Sequence, residues 1–120
     1  MQKLLFEATW DKALSGTDRE LIKQIFNKHT VQLDTVSCYL IRSARNHHNH
    51  FLVTVLIHNE TAIEQIFIER DVSLQMEYGQ YTQKFTQPKL VIPSHISMPW
   101  TFIFEHVAQN TGEVLTITIH

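Results

Sequence analysis

The segment P-K-L-V-I-P-S-H-I-S-M-P-W-T-F-I-F, residues 88–104, places three prolines inside the most hydrophobic run of a 120-residue chain. Proline donates no backbone hydrogen bond, so it belongs at strand ends and edges rather than in a central ladder. The segment therefore reads as two strands. Pro88 precedes a short strand Lys89-Leu90-Val91-Ile92, Pro93 ends it, Ser94-His95 turns, and Pro99 introduces a strand led by Trp100. Trp100 is then expected in the core, where a buried tryptophan removes on the order of 200 Å² from water.

Working outward, the chain changes period near residue 30. Thr17-Asp18-Arg19-Glu20 has the form of a capping box, with Thr17 as N-cap. Leu21, Ile22, Ile25 and Phe26 follow at helical spacing, and Lys28 and His29 suit the negative end of a helix dipole. These signals predict a helix over about residues 18–29. Upstream, 8–14 reads as a shorter helical turn interrupted by Ser15-Gly16.

Beyond it the period is two. Phe51, Val53, Val55 and Ile57 share one face of a strand, with Leu52, Thr54, Leu56 and His58 on the other. Val72, Leu74, Met76 and Tyr78 alternate with polar residues, and 114–119 is β-branched almost throughout. With strands near 34–44, 63–69 and 100–104, the reading is mostly β. The expected fold is an immunoglobulin-like antiparallel β-sandwich of six or seven strands, preceded by an N-terminal α-helix. It is one domain, 1–29 helical and 30–120 the sandwich. The helix must cover something apolar, either its own sandwich or a second chain. The final strand, with little charge, is a candidate edge and a seam for a homodimer.

Composition limits function. A net charge of -2 offers no basic field for nucleic acid or an anionic membrane surface. No apolar run approaches the roughly 20 residues of a membrane span, and the start has no apolar core of a secretory signal. With a single cysteine, Cys38, no internal disulfide forms. The expectation is a cytoplasmic protein.

Arg45-Asn46-His47-His48-Asn49-His50 is the most suggestive local cluster. His47, His48 and His50 are candidate ligands for Zn²⁺, Ni²⁺ or Cu²⁺, against the plainer reading of a solvated hairpin turn. Cys38, with His29, His58, His95 or His106 as base, is a formal nucleophile, but its mid-strand apolar setting reads as a structural thiol. Asp18 and Glu20 belong to a first helical turn, and Glu69 and Asp71 to a turn around Arg70. Asn59-Glu60-Thr61 matches the glycosylation pattern by chance. No phosphate-binding glycine loop or hydrolase signature is present, so no catalytic residue and no cofactor is assigned. Most aromatic residues sit at core spacing; Trp10, ahead of the helix, stands apart from the strands.

Trp10-Asp11-Lys12-Ala13-Leu14-Ser15-Gly16-Thr17-Asp18-Arg19, the pair 40–46 and 52–59, and above all Leu90-Val91-Ile92-Pro93 with Met98-Pro99-Trp100-Thr101-Phe102-Ile103-Phe104, resemble the SLAP domain of Bacillus-type Firmicutes. That family occurs in proteins linked to S-layer assembly and an accessory Sec export system, whose export-linked members carry the domain in duplicate; this chain contains one copy. The resemblance spans about residues 10–105. It implies a non-enzymatic, protein-binding accessory module for export or assembly of cell-envelope proteins, with no catalytic residue to transfer. Trp10, Pro93, Met98, Pro99 and Trp100 carry the motif and are expected to be structural. A metal-binding protein built on the 47–50 turn is the alternative.

Overall fold

The computed structural model describes residues 2–120. In chain order these build β1 (Lys3–Leu4), α1 (Ala8–Ala13), α2 (Gly16–Asn27), β2 (Val36–Arg45), β3 (Phe51–Asn59), β4 (Gln65–Ile66), β5 (Arg70–Met76), β6 (Gly79–Phe85), β7 (Val91–Ile92), β8 (Ile96–Phe104) and β9 (Val114–Ile119). The chain is mostly β, as its periodicity predicts. A four-stranded sheet has the order β1-β8-β3-β2, a three-stranded sheet β6-β5-β9, and β4 pairs with β7. Nine strands replace the six or seven expected. The sheet is also mixed rather than purely antiparallel, because β1 joins β8 in parallel. A strand of two residues carries no readable period, so the first 29 residues looked wholly helical.

β3 is central, flanked by β2 and β8, and nearly every residue of it is buried. Its odd-numbered face, with Val53, Val55 and Ile57 fully buried, packs against Val72, Leu74 and Met76 of β5. Phe102 and Phe104 of β8 meet Phe85 of β6 across this core, with ring centroids 4.9 and 5.2 Å apart. The opposite face of β3 carries Leu56, also fully buried, beneath the helices. Ile22 is the one buried residue of α2, so the helical layer closes the chain's own sheet but is attached thinly. β9 is an edge strand as expected, yet β2 runs beside its outer edge, which curls the sheets toward closure.

The helix cap differs from expectation. Ser15, not Thr17, is the N-cap: its hydroxyl accepts from the Asp18 amide at 3.1 Å. The cap lies two residues earlier than expected, and the interruption foreseen at Ser15-Gly16 falls at Leu14-Ser15, between α1 and α2, with Gly16 the first residue of α2. Asp18 keeps its place in the first turn and also pairs with Arg42 of β2 at 3.2 Å.

Pro99 lies inside β8 and does not start it. β1 donates from Lys3 and Leu5 to the carbonyls of His95 and Ser97, at 3.1 and 2.9 Å. Backbone groups alternate in direction along a strand. Pro99 therefore turns its donor-free nitrogen to the outer edge, just where β1 has ended. Farther along the same edge, Gln83 of β6 substitutes a side-chain amide for a strand: it donates to Ile103 O and accepts from Glu105 N, both at 3.0 Å. The β8 edge is thus managed by a parallel strand, a proline and a glutamine in turn. Trp100 is half-buried against the core and stacks on Trp10 of α1, centroids 6.3 Å apart. The fully buried aromatic anchors are Phe67, Phe102 and Phe104.

Candidate functional site

The hairpin between β2 and β3 is organised by Asn46, whose side-chain oxygen accepts from the amides of His48 and His50 at 2.9 and 3.0 Å. Asn49 takes the left-handed conformation the turn requires, at φ 63°. His47 and His48 are exposed and His50 is half-buried. Their rings cluster, with centroids 3.9 Å apart for His47–His48 and 5.9 Å for His48–His50. Among the described residues, no three His, Cys, Asp or Glu side chains are arranged to hold a metal ion.

Cys38 lies on β2 opposite Ile57, packed against the core, and burial pushes its thiol well above the usual range. Such a thiol has no thiolate with which to attack. Asn59 has no exposed surface, and its amide donates to the carbonyls of Ile92 and Pro93 at 2.9 and 3.1 Å, which leaves no room for a glycan. Met98 faces the core, and Pro93 ends β7. Glu69 takes a left-handed turn conformation at φ 50°, whereas Asp71 is already on β5 and pairs with Lys84 at 3.2 Å.

The strongest concentration of buried polar chemistry lies where α2 ends over β3. Lys28 caps the helix, and the next residue, His29, is carried back over the sheet by its amide bond to Phe26 O. There its imidazole lies flat on that of His58, ring centroids 3.7 Å apart and planes 16° from parallel. His58 is fully buried. Phe26 and Tyr39 wall it in at 6.3 and 5.3 Å, Tyr39 edge-on. Its Nδ1 bonds to the buried Ser97 hydroxyl, which also accepts from Gln2 at 3.0 Å.

Glu60 completes the group. Its side chain is 3% exposed, with one oxygen 3.0 Å from His29 Nε2. That approach is off the ring's N–H direction, so it is a close contact and not an aligned hydrogen bond. The other oxygen accepts from the Gln32 amide at 3.0 Å, and the Glu60 backbone bonds both Thr35 O and Asp34 N. One residue thus ties the loop 30–35 to the end of β3. His58 Nε2 and His29 Nδ1 have no hydrogen-bond partner.

Burial, with His29 alongside as the second cause and Glu60 partly opposing, lowers His58 to about 4. The ring is therefore neutral at pH 7. Ser97 and His58 form a serine–histidine contact, but both are fully buried. No substrate reaches the hydroxyl, and the accessible chemistry of the group is proton uptake.

The sequence placed His58 on the non-core face of β3 and His29 at the helix end, but not together. The available signal was that β3 has no charged residue on either face and carries Leu52 and Leu56 on the same face as His58. Such a strand is covered on both sides, and a histidine at its end is covered with it.

A second feature is a cleft between α1 and α2, with a cavity of about 300 Å³ lined by Thr9, Trp10, Ala13, Leu14, Asp18 and Arg42. Among the described residues no helix is long and apolar enough to cross a membrane.

A search of curated proteins and a search of solved structures returned no match to the chain. The family model of the SLAP domain matches residues 4–116, so the chain belongs to the SLAP domain family.

Proposed function

We propose that this chain is a non-catalytic binding module that serves cell-envelope proteins during their export or assembly, acting from the cytoplasmic side. The observation that carries the reading is the SLAP domain match over residues 4–116, nearly the whole chain. A surface feature supports the binding part of it. Val31 and Leu33 are 64% and 79% exposed on the loop that Glu60 holds, and Ile63, Ile66 and Ile68 are all more than half exposed just beyond Glu60. These five aliphatic side chains, on the two segments that flank Glu60 in the fold and in the chain, offer apolar surface to a partner. The motif residues Trp10, Pro93, Met98, Pro99 and Trp100 serve the framework that presents this surface.

The test is affinity capture of the tagged chain from its own cells after mild crosslinking, with mass spectrometry against an untagged control. Enrichment of envelope or export proteins, reduced by Leu33→Glu with Ile66→Glu, supports the reading. Enrichment of the chain itself alone, or of nothing, overturns it.

A further inference from the structure

We infer that the His29–His58 stack is an acid-operated latch: protonation of the second ring frees the end of α2 and the 30–35 loop from β3, while the β5–β6–β9 side keeps its fold. The latch is independent of what the module binds. It follows from where charge can and cannot be met. A proton on His29 faces Glu60 at 3.0 Å. A second proton, on His58, faces no further carboxylate. Around His58 stand Phe26 and His29 from the α2 end, Tyr39 from β2, Ser97 from β8, and Gln2 from the N-terminal segment. Lys28, bordering the same cavity as His29 and Tyr39, adds charge of the same sign. Two cationic rings 3.7 Å apart would then share one carboxylate, with their unpartnered nitrogens buried.

Relief is local because the attachment is local. α2 buries only Ile22, and neither Ile22, Leu56 nor His58 belongs to the main core. That core, from β3 and β8 to β5, β6 and β9, contains no residue of α1 or α2. Elements held by few buried contacts open first. The same motion breaks the bonds of Gln32, Asp34 and Thr35 to Glu60 and so frees the segment that carries Val31 and Leu33. The depressed proton affinity of His58 agrees with this. A ring near its ordinary value when exposed binds its proton better in the lifted form, so lifting is favoured as pH falls below about 6.5.

The experiment is hydrogen exchange on the full chain at pH 7 and pH 5, corrected for intrinsic rates, comparing peptides 16–35 with 70–85. Protection of 16–35 is expected to fall about tenfold or more at pH 5, reversibly, with 70–85 unchanged. His58→Phe, which keeps a ring but takes no proton, should remove the pH dependence. His29→Gln, which removes the stacked imidazole, should reduce it and serves if the first variant does not fold. Unchanged protection of 16–35 in the wild type at pH 5, or parallel loss in both peptides, overturns the latch.

Discussion

His29 and His58 stack face to face at 3.7 Å, although 29 positions and a change from helix to sheet separate them in the chain. The contact closes the helical layer onto β3 with two polar rings where a core would ordinarily use aliphatic side chains. Its consequence for stability has a definite sign. His58 has a folded-state pKa of about 4, below its ordinary value of about 6.5. The open or unfolded chain therefore binds more protons between those values. Stability is fully present above about pH 6.5 and is lost as pH falls toward 4. The loss approaches a magnitude on the order of 3 kcal/mol. Urea denaturation from pH 7 to pH 4 checks this, with His58→Phe as reference: the wild-type curve should fall more steeply through that window.

The aromatic stack between Trp10 and Trp100 should couple the first helix to the β8 edge. A double-mutant cycle with Trp10→Phe and Trp100→Phe, or the alanine pair if both fold, measures that coupling. An offset-stacked pair contributes about 0.5–1.5 kcal/mol beyond the area it covers. The single variants should therefore destabilise non-additively by about that amount. Far-UV circular dichroism should lose the same exciton feature in either single variant. Additive losses would mean that the two indoles are only neighbours.

What could be read from the residues follows the range over which each feature is encoded. β3, β5, β8 and β9 were legible because burial of one or both faces imposes a period on successive residues, as in Phe51–Ile57 and Val72–Met76. α2 was legible for the same reason, with its start misplaced because Thr17 and Ser15 are both competent caps and local sequence does not choose between them. Pro99 was misassigned for a different reason. A proline signals an edge or an end, and only the pairing partner decides which; here β1, remote in sequence, stops at Leu4 and leaves the edge open. The site was less legible. Each of His29, His58, Glu60 and Ser97 has an unremarkable local setting, and their meeting is a product of tertiary packing alone.

Gln83 should matter more than an exposed strand residue ordinarily does. Its amide closes the gap between β6 and the C-terminal half of β8 with one donated and one accepted bond, both 3.0 Å. Gln83→Glu keeps the acceptor for the Glu105 amide but sets a carboxylate against Ile103 O, and Gln83→Ala removes both bonds. Each intramolecular hydrogen bond has a net value of about 1 kcal/mol. Thermal unfolding should therefore show a loss of about 1–2 kcal/mol for alanine. The glutamate variant should also lose stability as its charge forms, a pH dependence that alanine lacks.

Gly112 should be among the least replaceable surface positions. It holds φ at +77°, in the left-handed region, and a Cβ there would sit 2.8 Å from both Cβ and Oε1 of Glu77. Those atoms cannot simply withdraw. Glu77 Oε1 accepts from the Glu113 amide at 2.7 Å, and the Glu77 amide donates to Glu113 O at 3.0 Å, so the same residue starts the β9 pairing. Gly112→Ala combines backbone strain of about 1–3 kcal/mol with disruption of that turn. It should lower the unfolding midpoint in urea, with exchange protection lost first along 114–119. Gly16→Ala is the control, since nothing lies within 4 Å of an added Cβ there and the site is helical. It should stabilise by about 0.5–1 kcal/mol, since alanine is the better helix former. Equal effects from the two alanines would show that turn strain at Gly112 does not limit the fold.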